Sequence, residues 1–204
     1  GVIVVSNPAK RFASMEQMHF AAFVTTITPE NWSGDMEVLS AIDGRVENSL
    51  VKRYRQLNNR HLINVESGVT GKDIIWLQSE TSQSRIRIAE AARTRIMEDG
   101  EVIDVDRRDV RGGDHVGQVL KVPVKEGLPI RIEKICTIYT SKDRAITEPL
   151  LEAVKNVERV PDTSYLLREH KDIWDALWER CRIHVETDQR VMAKILNLHL
   201  YHLL

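Results

Sequence analysis

Two hydrophobic periods divide the chain, and they meet near Lys142. Before it, apolar residues cluster in short runs or alternate with polar ones, as in strands whose side chains point to opposite faces. Residues 19–28 are rich in Phe, Val, Ile and Thr, which suit a pleated surface, and Pro29 ends that run. After the turn Glu30-Asn31-Trp32-Ser33-Gly34, the residues Met36, Val38, Ser40 and Ile42 share one face of a second strand. Asp43-Gly44 predicts a tight hairpin, because Gly accepts the positive φ of a type I′ turn. Residues 51–60 show no period and predict a long polar loop. Strands resume at 61–66, 74–78 and 85–88, with Gly68 and Gly71 as breaks between the first two. Residues 89–95 read as strand by alternation, although their Ala and Arg favour helix. The pattern predicts a short strand at 101–105, a charged Gly-rich loop at 106–117, and strands at 118–124 and 130–140. In the last of these, Ile130, Ile132 and Lys134 alternate with Arg131, Glu133 and Ile135.

Beyond Lys142 the spacing becomes helical. Thr147-Glu148-Pro149 opens a helix, with Pro where its missing N–H costs least, and Leu150, Leu151, Val154 and Val157 follow. Residues 160–164 break it and start another, on which Trp174 and Trp178 share a face one turn apart. Residues 182–186 read as a short extended linker. Thr187 or Asp188 then caps a final helix with Val191, Ile195, Leu198 and Tyr201 on one stripe, widened by Met192, Leu196, Leu200 and Leu203. So broad an apolar surface is expected to be covered. Trp174, Leu177 and Trp178 are expected to anchor the second helix on a neighbouring surface. Ile195, Leu198 and Tyr201 are expected to face another body. The fold class is therefore mainly β with C-terminal helices: an antiparallel β-sandwich over 1–141 and a helical linker over 142–204.

Composition narrows the functional classes. Lys and Arg number 29 against 30 acids, so no excess of cations is available for nucleic acid. No apolar run approaches the roughly 20 residues that span a bilayer. The two cysteines, Cys136 and Cys181, are too few for a disulfide framework and read as reduced thiols in a cytoplasmic protein or as small core residues. Both chain ends are apolar, which gives them the look of cut edges.

Candidate chemistry is sparse. His199 and His202 stand three apart on the last helix, but no third metal ligand is near them in the sequence. Asp104, Asp106 and Asp109 lack the order of a calcium loop and read as a solvated turn. No nucleophile elbow or phosphate loop occurs. The sequence implies no metal, no cofactor and no catalytic residue of its own. The segment 53–61 brings planar donors beside an aromatic ring, which suits sugar hydroxyls. Trp32, Tyr54, Asn58 and His61 are its weak substrate-binding candidates, and internal hydrogen bonding of an ordered loop is the more ordinary use of such residues.

Several segments, in order, resemble glycoside hydrolase family 65, the family of maltose, trehalose and kojibiose phosphorylases. They are Arg11-Phe12-Ala13-Ser14-Met15, Thr28-Pro29-Glu30-Asn31-Trp32-Ser33-Gly34, Ser40-Ala41-Ile42-Asp43-Gly44-Arg45-Val46-Glu47-Asn48 and Arg53-Tyr54-Arg55-Gln56-Leu57-Asn58. Residues 178–204 are similar to the linker that precedes the family's catalytic barrel. The resemblance implies a portion of a galactose mutarotase-like super-sandwich, with the earliest strands lying before Gly1 and an (α/α)6 barrel following Leu204. It implies inverting phosphorolysis of α-glucosides such as trehalose or maltose in the parent protein, with a barrel glutamate as general acid and inorganic phosphate as co-substrate. Some relatives hydrolyse instead. The catalytic residues of the family fall outside this chain, so the chain alone is expected to be inactive. Its expected partners are the parent's own barrel and, through the exposed last helix, a second copy. A stand-alone carbohydrate-binding sandwich and a purely structural module are the competing readings.

Overall fold

A computed structural model describes residues 3–47, 59–144, 146–183 and 190–203. Among the described residues, eleven strands precede three helices: β1 (Val5–Ser6), β2 (Ala9–Ala13), β3 (Phe20–Pro29), β4 (Gly34–Asp43), β5 (Leu62–Thr70), β6 (Ile74–Thr81), β7 (Arg87–Glu98), β8 (Glu101–Ile103), β9 (Asp106–Arg111), β10 (His115–Val124), β11 (Ile130–Thr140), α1 (Pro149–Arg159), α2 (Thr163–Cys181) and α3 (Arg190–Leu203). The large sheet runs β1-β3-β11-β7-β6-β5, with β2 also on β3 and β8 on β7; the small sheet runs β4-β10-β9. All pairings are antiparallel.

The alternation in β11 explains the layering. Ile130 faces the small sheet and helps fill the space between the sheets with Ile96, Leu120, Val122 and Val124. Ile135 points the other way and packs with Ala89, Ala91, Ala153, Val157 and Leu166 under α1 and α2. The large sheet is thus covered on both faces, which requires apolar residues on both sides of β7 and β11. The alanines of β7 let α1 approach closely, and Thr137 donates its hydroxyl to the Ala153 carbonyl of that helix at 2.8 Å. Burying a side chain such as Leu166 contributes about 1.5–3 kcal/mol.

Three expectations change. Residues 106–117 are not a loop: β9 and β10 form a paired edge there, from Val116↔Arg111 to Lys121↔Asp106. The charges of β9 belong to an edge strand, where they discourage further pairing. Gly68 does not break β5; it sits opposite Trp76, and a Cβ there would meet the indole at 2.5 Å. Asp43-Gly44 does not turn a hairpin, because β4 pairs with the distant β10. Gly44 has no left-handed φ. It passes so close to its neighbours that a Cβ would meet the Asp114 carbonyl at 2.9 Å, to which its own N–H donates at 2.7 Å.

Candidate functional site

The densest polar arrangement lies where the helices leave the sandwich. β7 and β11 place Arg93, Arg95 and Glu133 on the helix-facing side, with Arg95 paired to Glu133 in register. Arg93 and Glu133 are each only 2% exposed. Arg93 donates from Nη1 to the Glu158 carbonyl at 2.9 Å, and from Nη2 to the carbonyls of Val160 at 2.7 Å and Pro161 at 3.0 Å. These are the groups a helix C-terminus leaves without partners, so a cation meets the negative end of α1. Burial, with Arg95 nearby, pushes the Arg93 guanidinium down, and Asp73 and Glu133 oppose that shift.

Glu133 does the reverse for α2. Its Oε2 accepts from the Thr163 N–H at 3.0 Å and the Thr163 hydroxyl at 2.6 Å. Arg131 donates from Nη2 to that same hydroxyl at 2.7 Å. Asp162 completes the start of α2 by accepting from the Tyr165 N–H at 2.8 Å. A carboxylate thus meets the positive end of one helix and a guanidinium the negative end of the other, on either side of residues 160–162. Arg95 adds a bond to the Pro161 carbonyl at 3.1 Å and one to Asp73 at 3.3 Å. The arrangement fixes the corner between α1 and α2 on the sheet. Apart from Arg131 Nε, which is buried without a partner, these bonds run within the arrangement and hold orientation.

The second helical corner is aromatic. Trp174 stacks on Tyr201 of α3 at 5.2 Å between ring centroids. His170 meets Phe12 of β2 at 5.0 Å and Trp174 edge-on at 6.3 Å. Trp174 therefore joins α2 to α3 through Tyr201, and His170 links the same cluster to Phe12 of the sandwich. Trp178 is half-buried, with Arg182 and Asn197 beside it. Val191, Ile195, Leu198 and Leu203 remain exposed, Leu198 by 54% and Leu203 by 83%.

The binding candidates separate. Trp32 lies half-buried in the β3–β4 crossover, packed against the inter-sheet cluster around Val122 and Val124. His61 is exposed at the start of β5, next to Arg60, which bonds Glu47 at 2.9 Å. The two lie off opposite ends of β4. Tyr54 and Asn58 fall outside the described residues. Asp104 and Asp109 line a polar cleft of about 500 Å³ with Lys72, Arg107 and Gln118. Lys72 pairs with Asp104, and Gln118 donates to Asp109 at 3.0 Å. Among the described residues, no group of three or more His, Cys, Asp or Glu side chains is placed to hold a metal ion. Cys136 lies between the sheets, where burial pushes its thiol up to about 11, the wrong direction for a nucleophile. No described helix is long and apolar enough to cross a membrane.

The corner clamp went unread in the sequence, where Arg93, Arg95 and Glu133 look like solvent-facing positions of strands. The one available signal was three charges in strands otherwise too apolar for an exposed face.

The fold is an antiparallel β-sandwich with α1 and the start of α2 held on the outer face of its large sheet. The family model for glycosyl hydrolase family 65, N-terminal domain, matches residues 5–177, and the chain belongs to that family. An uncharacterized glycosyl hydrolase of Mycobacterium tuberculosis is 37% identical over 201 residues, 98% of this chain and 15% of that protein. A kojibiose phosphorylase of Caldanaerobacter subterraneus is 30% identical over 205 residues, covering 95% of this chain and 26% of the relative. A nigerose phosphorylase of Lachnoclostridium phytofermentans is 27% identical over 221 residues, covering 100% and 28%. The chain therefore spans no more than 28% of these curated relatives. A solved structure described as a putative kojibiose phosphorylase from the human microbiome shares the fold, with a TM-score of 0.67 at 12% identity, over 85% of this chain and 21% of that one.

Proposed function

We propose that this chain is the non-catalytic N-terminal portion of a family 65 glycoside phosphorylase, and that it orients the linker helices that lead into a catalytic barrel. The observation that carries the reading is the match of the N-terminal-domain model to residues 5–177, which ends inside α2 and leaves α3 beyond it. The corner clamp supports it, since Arg93 and Glu133 fix the direction in which α2 departs. The exposed row Val191, Ile195, Leu198 and Leu203 then serves as a surface for the barrel.

The parent's substrate class follows from relatives whose names specify kojibiose, nigerose and α,α-trehalose phosphorolysis. All three sugars are α-linked glucose disaccharides. Inorganic phosphate is the co-substrate in this reading. The protein works in the cytoplasm, and no cofactor takes part. Inversion converts the α-glucosidic bond into β-glucose 1-phosphate. Proton NMR of a reaction containing the polypeptide that continues beyond Leu204, phosphate and each disaccharide tests this. A β-anomeric signal for one of them supports the reading, and free glucose without sugar phosphate would replace it with hydrolysis.

A further inference from the structure

At the β9 end of the small sheet, a cleft of about 500 Å³ opens between that strand, the β5–β6 turn and the segment leading out of β8. Its volume falls within the roughly 300–1,000 Å³ of small-molecule sites. Lys72, Asp104, Arg107 and Asp109 line it, with Asp106 at the start of β9 and Val69 and Val105 as its apolar part. Gln118 of β10 also lines it and is only 3% exposed. Both ends of its amide are engaged. Nε2 donates to the Lys72 carbonyl at 3.1 Å and to Asp109 Oδ1 at 3.0 Å, and Oε1 accepts from Arg107 Nη1 at 3.2 Å. One buried side chain thus fixes the turn, the edge carboxylate and the guanidinium relative to one another. Arg107 Nη2 donates to the Thr94 carbonyl at 2.8 Å, and Arg107 Nε is buried without a partner.

The charges select the ligand. Lys72 pairs with Asp104, so its ammonium competes with any metal ion drawn to that carboxylate. Asp106 and Asp109 repel an anion drawn to Arg107. Cations and carboxylates nearly cancel in the lining, two against three. Hydroxyls suit such a mixture, because each donates to a carboxylate and accepts from a guanidinium or an ammonium. A carboxylate has two acceptor oxygens and a guanidinium has a fixed fork, so each can hold two adjacent hydroxyls at once. Val69 and Val105 offer contact to the C–H groups of a sugar ring.

We infer that this cleft binds a neutral pyranose sugar with adjacent hydroxyls, such as a glucose unit, held by Lys72, Asp104, Arg107 and Asp109 with Gln118 keeping them in place. The inference goes beyond the reading of the chain as an orienting domain and uses none of the residues that fix the corner between α1 and α2. Open and lined by hydrated charges, the cleft is expected to bind weakly, with a Kd on the order of 1 mM.

The test follows amide NMR shifts of the isotope-labelled 204-residue chain during titration with glucose and with maltose, each up to about 50 mM. Calcium chloride and inorganic phosphate are separate arms. Saturable shifts confined to the amides around Gly71, Lys72, Val105, Arg107 and Asp109 are expected with the sugars. Lys72→Ala combined with Asp104→Ala removes two exposed side chains. The pair is expected to move the Tm by less than about 2 °C and to weaken sugar binding by about 10-fold or more. Asp109→Asn keeps an acceptor for Gln118 and is expected to weaken it by about 3-fold or more. No saturable shift with either sugar, unchanged affinity in the paired variant, or shifts gathered around Trp32 or His61 would overturn the inference. So would calcium or phosphate saturating the same amides in place of the sugars. Sugar binding here, beside a longer polypeptide without phosphorolytic activity, would overturn the functional reading and leave the cleft standing.

Discussion

Glu133 on β11 and Thr163 at the start of α2, thirty positions apart in the chain, share two hydrogen bonds of 3.0 and 2.6 Å to a single carboxylate oxygen. That contact ties the departing helix to the sheet. With Arg93 on the neighbouring strand holding the end of α1, it makes the helical corner part of the sandwich.

Removing Arg93 takes a donor from the Glu158, Val160 and Pro161 carbonyls, and removing Glu133 takes the acceptor from the Thr163 N–H and hydroxyl and from the Arg131 guanidinium. Arg93→Met and Glu133→Ala are each expected to destabilise the chain by about 1–3 kcal/mol for each buried group left without a partner. Glu133→Gln keeps an acceptor and is expected to lose less, about 1–3 kcal/mol. Urea unfolding followed by far-UV dichroism measures all three. Glu133→Ala unfolding like the wild type would show that the clamp carries no stability.

Gly68 makes room for the Trp76 indole across the β5–β6 pair. Gly68→Ala is expected to cost about 1–3 kcal/mol by overpacking, and Trp76→Leu in the same chain is expected to recover part of it. A Gly68→Ala melting curve identical to the wild type would mean that the ring moves aside freely.

Burial raises Cys136 from the ordinary 9.0 to about 11. A group raised in the folded state supports folding fully below pH 9.0 and loses that support as pH climbs through about 11. At about 1.4 kcal/mol per unit, the loss approaches about 2–3 kcal/mol. The stability difference between wild type and Cys136→Ala is therefore expected to shift toward the variant across that window. The thiol should also resist Ellman's reagent until denaturant is added. Rapid labelling of the folded chain at Cys136 would contradict its burial.

Trp174 and Tyr201 join α2 to α3. Trp174→Ala is expected to remove about 0.5–1.5 kcal/mol of ring contact and to speed amide exchange in α3 while leaving β7 and β11 unchanged. Faster exchange throughout the sandwich would show that this pair supports more than the hairpin of helices.

Much of this architecture was legible because period is local. The strands around Met36, Val38 and Ile42, the alternation in β11 and the helix opening at Pro149 follow from spacing and end signals alone. What was not legible depends on approach between distant segments. Gly44 looks like half of a turn dipeptide, yet it is required by the Asp114 carbonyl, seventy positions away. β9 looks like a charged loop because an edge strand carries charge on both faces. Arg93 and Glu133 look solvated until α1 and α2 are laid over them. The binding candidates Trp32 and His61 were joined by residue type, and the fold sets them off opposite ends of β4.

We propose that this chain positions a catalytic domain and performs no chemistry itself. The direct measurement is the release of glucose 1-phosphate from kojibiose, nigerose, trehalose and maltose in phosphate buffer. It compares the purified 204-residue chain with the same polypeptide continued past Leu204. No turnover is expected from the shorter protein, and turnover of at least one disaccharide from the longer. Phosphate-dependent turnover by the 204 residues alone would contradict it.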